Sequence, residues 1–303
     1  MDDIITVSDL AGYPLHLRWM NGDEMLGGHL AGMFEYRMEL ESPVDEIKAK
    51  DVLGKKLTIN LVLPNDAGLR YFNGHVTSWS YRGKRHDNAI YRATVRPWLW
   101  FLNFTTDCRI FNKKSAIDIV KLIFRKYNDA LFAESLVSTY PTHEFLVQYR
   151  ESDLNLVCRL LQEEGAYFFF KHEAAQHTLV LADGISAHKT APSCEEVPYV
   201  PPTSNARELR SHFERWKGSQ DVQLQGYRVH DYDYEKARAD LLMQPLLQSP
   251  VPRHQRAQTV SNHLAFGGIE TGRNLVFHHA RQFAGQRDAE LLSSAHIGLQ
   301  LNA

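Results

Sequence analysis

Hydrophobic and polar residues alternate most cleanly over 34–40, where Phe34, Tyr36, Met38 and Leu40 are interleaved with Glu35, Arg37 and Glu39. A period of two sends successive side chains to opposite faces of a pleated chain, so this stretch is predicted to be a half-buried strand. Leu57, Ile59, Leu61 and Leu63 repeat the pattern. Pro64, Asn65, Asp66 and Gly68 then supply turn chemistry, which predicts a further strand around 71–81. Residues 83–88 separate that strand from another over 89–102. Residues 1 to about 105 therefore read as antiparallel β. A sheet with one apolar face has to close or be covered, because open edges invite pairing with other chains, and a small barrel is the economical solution.

The period changes after residue 105. Ser115 and Asp118 stand three apart, a capping pattern, and Ile119, Ile123 and Tyr127 follow on one helical stripe, predicting a helix over 115–127. A second helix is predicted to start at Ser152, whose hydroxyl suits an N-cap, with Asp153 at the positive end of the helix. Leu154, Val157, Cys158, Leu160 and Leu161 share one face, and Arg159, Gln162 and Glu163 the other. Gly165 can adopt the left-handed conformation that ends a helix, and the bulky residues 166–170 start a strand. With a second strand over 178–181, beyond the polar stretch 171–177, they form an antiparallel hairpin.

The last third is less regular. Pro192, Pro198, Pro201 and Pro202 mark an extended crossing segment over 187–205, where a subdomain boundary is expected. Residues 222–230 alternate again. A short helix is expected over 237–242 before Pro245, Pro250 and Pro252, and another over 281–295.

A chain of 303 residues exceeds the size at which one core stops growing, so two or three subdomains are expected. The 34 basic and 36 acidic residues give a net charge of -2 without a basic run, which argues against a nucleic-acid partner. The start, Met1, Asp2, Asp3, is acidic where a secretory signal is basic, and no apolar run nears the ~18 residues of a membrane span. Folding in the cytoplasm without stable membrane insertion is expected. Cys108, Cys158 and Cys194 are odd in number and far apart, so free and mostly buried thiols are expected rather than disulfides or a zinc site.

Candidate chemistry falls short at each place where it is suggested. His172, Glu173 and His177 resemble a zinc-protease motif, but its histidines stand four apart on a helix and these stand five apart in a hairpin. The run Gly184, Ile185, Ser186, Ala187 and His188 lacks the closing glycine of a nucleophile elbow. Gly267, Gly268 and Gly272 miss the dinucleotide spacing, and Lys55 and Lys56 after Gly54 lack the upstream glycine of a phosphate loop. Fifteen histidines are scattered, with only His278 and His279 adjacent. Trp79, Trp98, Trp100 and the aromatic run 167–170 suit core and subunit interface better than a carbohydrate-stacking surface. No catalytic, cofactor-binding or metal-binding residue is assigned, and no cofactor is implied.

The segment YRESDLNLVCRLLQEEGAYFFFKHE (149–173), followed by HTLVLADG, resembles the signature of the VgrG family, the spike proteins of type VI secretion. The N-terminal half of that family is similar to the baseplate hub of contractile phage tails. GLRYFNGHVTSWSYRG (68–83), YRATVRPWLWFL (91–102) and RIFNKKSAIDIV (109–120) match in the family's order and spacing, and GYRVHDYDYEKARADL (226–241) matches more weakly. The resemblance covers roughly 15–241, with a thinner match to the end of the chain.

It implies a β-rich α+β fold with two tandem small antiparallel β-barrel-like tail-hub domains and an inserted α+β subdomain. The first barrel is expected at 1–105, the α+β subdomain at 106–205, and the second barrel, incomplete at its C-terminal end, at 206–303. Family members continue through a neck and a β-helical spike, so the chain resembles an N-terminal fragment. The implied role is structural and not enzymatic: a homotrimer whose six similar barrels cap the hexameric tube protein, Hcp, and deliver effectors by puncture. Effectors or adaptors would dock through regions beyond this chain. Two alternatives stay open, a phage or tailocin baseplate hub and the non-catalytic part of an effector-bearing, hydrolase-fused spike. Assembly in the bacterial cytoplasm, followed by secretion or injection at the tube tip, is the implied itinerary.

Overall fold

The computed structural model describes residues 5–8, 10–25, 32–63, 68–188, 199–200, 227–230, 238, 240, 242–243, 258–261 and 296–302. Its largest element is a curled antiparallel sheet of seven strands. These are β1 (Ile5–Val7), β2 (His16–Met25), β3 (Phe34–Ser42), β4 (Lys56–Val62), β5 (Leu69–Arg85), β6 (Asn88–Arg96) and β15 (His296–Asn302), in the order β1-β4-β5-β6-β3-β2-β15. The pattern read over 34–40 is realised in β3, where Phe34, Tyr36, Met38 and Leu40 are buried. They pack with Met20, Leu57, Ile59, Phe72, Val76 and Val95 into one core. The outer face of β3 carries acids paired with arginines: Glu39 accepts from Arg18 of β2 (2.6 Å) and Arg92 of β6 (3.2 Å), and Glu35 pairs with Arg37 of its own strand (2.6 Å) and Arg96 of β6.

Two boundaries in this sheet differ from the sequence reading. β5 and β6 pair down to Arg85 and Asn88, so the turn is only His86 and Asp87, with His86 at φ 52°. Gly83 does not break the strand; it sits at a register shift with φ +105°, a bulge that glycine tolerates. Further on, β6 ends at Arg96 rather than at residue 102. Pro97 has no N–H for the ladder, and the chain turns into a 3-10 helix, Trp98–Phe104, which carries Trp98, Leu99 and Leu102 into a second core.

That second core lies within an α+β unit. It contains β7 (Thr106–Ser115), α2 (Ala116–Phe124), β8 (Phe132–Ser135), β9 (Thr142–Ser152), α3 (Asp153–Glu164), β10 (Tyr167–His172) and β11 (His177–Ala182); the single-turn helix α1 (Ala49–Val52) belongs to the first unit. Both helix starts are as read. The Ser115 hydroxyl accepts from the Asp118 N–H (3.1 Å) and the Asp118 carboxylate accepts from the Ser115 N–H (3.3 Å), a complete capping box. The Ser152 hydroxyl accepts from the Asn155 N–H (3.1 Å). Tyr127 lies past the end of α2, where its hydroxyl oxygen is 3.0 Å from the Thr105 hydroxyl.

Gly165 ends α3 at φ 68° with open space where a Cβ would stand, so any strain from a side chain there is purely conformational. Gly165→Val is expected to lower stability by about 1–2 kcal/mol, the cost of left-handed backbone for an L-residue, read as a fall in thermal midpoint. The hairpin is longer than expected: β10 and β11 pair through His172 and His177, leaving only residues 173–176 as the turn. β8 joins β11 in parallel.

A third sheet orders β12 (Tyr227–His230) between β13 (Leu242–Met243) and β14 (Gln258–Ser261). Leu242 is thus in a strand rather than in the expected helix, paired with His230. Of the crossing segment expected over 187–205, residues 189–198 and 201–205 lie outside the described residues, as do the helix expected over 281–295 and Cys194. Of the other thiols Cys158 is buried, with burial pushing its pKa up to about 12, whereas Cys108 is exposed against expectation. β15 pairs with β2, from His296 opposite Met25 to Asn302 opposite Trp19. No described helix is long and apolar enough to cross a membrane.

Candidate functional site

Two places in this fold stand out, an exposed ribbon and a buried seam. The ribbon is the two-stranded sheet of β7 and β9. Opposed residues share a face, so the pairs Cys108–Tyr149, Ile110–Val147 and Asn112–Phe145 all point outward, and Arg109–Gln148 and Phe111–Leu146 point inward. The outward face is apolar and uncovered among the described residues: Ile110 is 67% exposed, Tyr149 66%, Phe145 43% and Val147 41%. Apolar side chains clustered in this way mark a protein-contact surface more than a solvated one.

The inward face anchors α3. Asp153, fully buried at the first position of the helix, pairs with the Arg109 guanidinium and accepts from Gln148 Nε2 (3.0 Å) and the Tyr127 hydroxyl (3.4 Å). Its own N–H donates to the Thr105 carbonyl (2.8 Å). The carboxylate therefore ties the ribbon, the end of α2 and the start of α3 together.

The seam lies where the hairpin β10–β11 meets the curled sheet. β6 begins pairing with β5 only at His75, opposite Arg96, so residues 69–74 of β5 have no strand partner on that side among the described residues. Two histidines of the hairpin take up the backbone groups left by the Pro97 stop. His177 Nε2 accepts from the Trp98 N–H (3.0 Å), the first amide of the 3-10 helix. The proton of His177 is therefore on Nδ1, from which it donates to Asn73 Oδ1 (2.7 Å), while Asn73 Nδ2 donates to the Thr58 hydroxyl (2.7 Å). His172 Nδ1 lies 3.0 Å from both the N and the O of Asn73. His172 Nε2 lies 3.4 Å from the Tyr36 hydroxyl, which donates to Glu24 Oε1 (2.7 Å). His75 completes the group, donating from Nδ1 to the Gly54 carbonyl (2.9 Å).

Burial pushes all three imidazoles toward the neutral form. His172 falls to about 4, through burial and then the charge of Arg70, against the pull of the Asn73 carbonyl. His177 falls to about 2, through burial, then His75, His172 and Lys56. His75 is also lowered, chiefly by burial. Close packing backs the contact: a Cβ on Gly32 would stand 2.1 Å from the Phe168 carbonyl oxygen, and Phe170 touches both cores.

Sequence reading missed this seam. Placing His172 and His177 in a polar connection hid their strand positions, and nothing local signals that Pro97, about eighty residues away in the chain, leaves amides for them to satisfy. Their nitrogens are engaged with protein groups, and no cluster of three metal-ligating side chains occurs among the described residues. Gly184 leads into a 3-10 helix, Ile185–Ala187, with Ile185 90% exposed, and no strand-turn-helix surrounds Ser186. Gly54 sits at φ +77° in the turn before β4, its N–H bonded to the Val76 carbonyl (2.8 Å) instead of facing a phosphate. Trp98 is core, Trp79 stacks on Tyr91 at 4.9 Å, and Trp100 lies under Arg96 at 4.9 Å. Gly267, Gly268, Gly272, His278 and His279 lie outside the described residues.

The profile of the phage tail baseplate hub (GPD) family matches residues 29–297. The chain belongs to the phage tail baseplate hub family. Among curated relatives of this hub chain, the type VI secretion system spike protein VgrG1b of Pseudomonas aeruginosa is 38% identical over 77% of the chain and 31% of its own length. The hub chain spans about a third of the length of the Pseudomonas aeruginosa spike proteins VgrG1a, VgrG1b and VgrG1c that it matches. Among solved structures, an Escherichia coli component of the type VI secretion system, itself described as similar to the T4 tail proteins gp27 and gp5, aligns with a TM-score of 0.53 at 25% identity, covering 66% of the hub chain and 52% of its own. A tail protein from Neisseria meningitidis aligns at 0.61 over 95% of the hub chain and 77% of its own, and at 13% identity it shows shared fold alone. The β-rich α+β fold expected from the sequence is therefore the fold of tail hubs, and the resemblance to VgrG spikes holds over about three quarters of the chain.

Proposed function

We propose that this chain is the hub region of a VgrG-like type VI secretion spike, assembling as a homotrimer that caps the hexameric Hcp tube. The observation that carries the reading is the 38% identity to a spike protein across three quarters of the chain. In this reading each chain contributes two similar barrels, one at residues 1–105 whose sheet also takes in β15, and one from the rest of 206–303, on either side of the α+β unit. Three chains then offer six comparable contacts to a sixfold ring, so a threefold object docks without symmetry mismatch.

Binding is the activity, with no catalysis by this chain, and effectors ride on the tip as the contracting machine drives it out of the cytoplasm. The exposed face of the ribbon supports this reading, because permanent subunit contacts are more apolar than transient ones and bury about 2,000 Å² or more. A phage or tailocin hub would use the same fold in another machine, and the identity to secretion spikes favours the former.

Light scattering of the purified chain across a concentration series tests the assembly. A mass near three times 34.8 kDa, with retention of Hcp hexamers by the trimer, is expected. A monomer at every concentration that also fails to retain Hcp overturns the reading.

A further inference from the structure

We propose that the histidine seam is an acid-released latch holding the α+β unit against the curled sheet. Each ring has one place for an extra proton, and at His177 that place is the worst available. Nε2 already accepts from the Trp98 N–H at 3.0 Å, so a proton there sets donor against donor in a buried site. On His75 the free position is Nε2, which is buried and has no hydrogen-bond acceptor. On His172 the extra proton would lie on Nδ1, where the Asn73 carbonyl at 3.0 Å can receive it, so this ring is the most tolerant of the three.

The charged groups around the cluster do little to welcome protons. β4 contributes Lys56 and β5 contributes Arg70, both cations. The acids that face the group are Glu24 of β2, whose carboxylate holds the Tyr36 hydroxyl, and Asp129, paired with Lys56 at 3.7 Å. The His177 ring lies 5.5 Å from that of His75 and 6.2 Å from that of His172, so a charge on one opposes a charge on the next.

The sign follows from the depressed values. In the unfolded or detached chain these histidines titrate near pH 6.5, and in the closed seam they titrate lower. Opening therefore takes up protons, so the seam is tightest above about pH 6.5 and weakens as the pH falls below it. The hydrogen bonds broken first are those of Trp98 and Asn73, which join the units. The open population rises up to about tenfold per pH unit for each histidine that takes up a proton.

Hydrogen exchange of the whole chain at pH 7 and pH 5, corrected for intrinsic rates, reads the latch. Peptides over 69–76, 97–104 and 167–182 are expected to lose protection at pH 5 relative to peptides from β3 and α2. His177→Gln, which retains one donor and one acceptor but cannot titrate, should show a smaller loss. Ring-nitrogen NMR of the wild-type chain provides the independent reading, with His177 expected to keep its Nδ1–H neutral form at pH 5. Uniform loss of protection across both cores, equal loss in the variant, or a folded-state His177 that titrates near 6.5 would overturn the proposal.

Discussion

Leu160→Asp is expected to abolish cooperative folding of the α+β unit. Leu160 is fully buried on α3, in the core shared with Trp98, Ile119, Phe124 and Leu181. The substitution removes apolar volume that costs about 2–5 kcal/mol even when the replacement is alanine. It adds a carboxyl with no partner in that core, a further penalty of several kcal/mol whether the group stays charged or takes up a proton. The sum rivals the whole stability of an ordinary domain, about 5–15 kcal/mol, so loss of near-UV circular dichroism and of a cooperative melt is the expected outcome. Leu160→Met, which conserves volume, should cost less than about 1.5 kcal/mol. An unchanged melting temperature in the Asp variant would show that α3 does not turn this face inward.

Arg109→Met is expected to destabilise the chain by about 3–5 kcal/mol, because it leaves a buried carboxylate without its cation. Asp153 has no solvent exposure and Arg109 is 18% exposed, so water cannot readily replace the guanidinium. The Gln148 and Tyr127 donors remain, which keeps the loss within that range. Adding Asp153→Asn to Arg109→Met removes the unpaired charge while keeping an acceptor at the head of α3. Urea midpoints should then place the double variant above the single one. If the double variant loses the sum of the two single losses, the pair does not act as a unit.

Local signals were legible where the chain makes its own hydrogen bonds. Both helix starts could be read because Ser115, Asp118 and Ser152 bond within their own turns, and the end of α3 because Gly165 alone there adopts φ 68° without a Cβ penalty. β3 was legible because one of its faces meets a core and the other meets arginines. The end of β6 was misread although Pro97 announces it, since the apolar residues after it carry on a strand-like composition. The seam was not legible, because its partners are about a hundred residues apart and burial turns ordinary histidines into backbone acceptors. Asp153 showed as a favourable helix charge; the ribbon arginine across from it did not.

The imidazole of His172 over Asn73 also bears on how this chain avoids its own kind. Residues 69–74 of β5 are a half-bare margin of a sheet, the sort of edge to which a stray strand adds itself and starts a fibre. A ring that meets the Asn73 amide and carbonyl plugs that margin without offering a second row of backbone groups for the next strand to grip. The seam is thus a stopper against edge-to-edge aggregation.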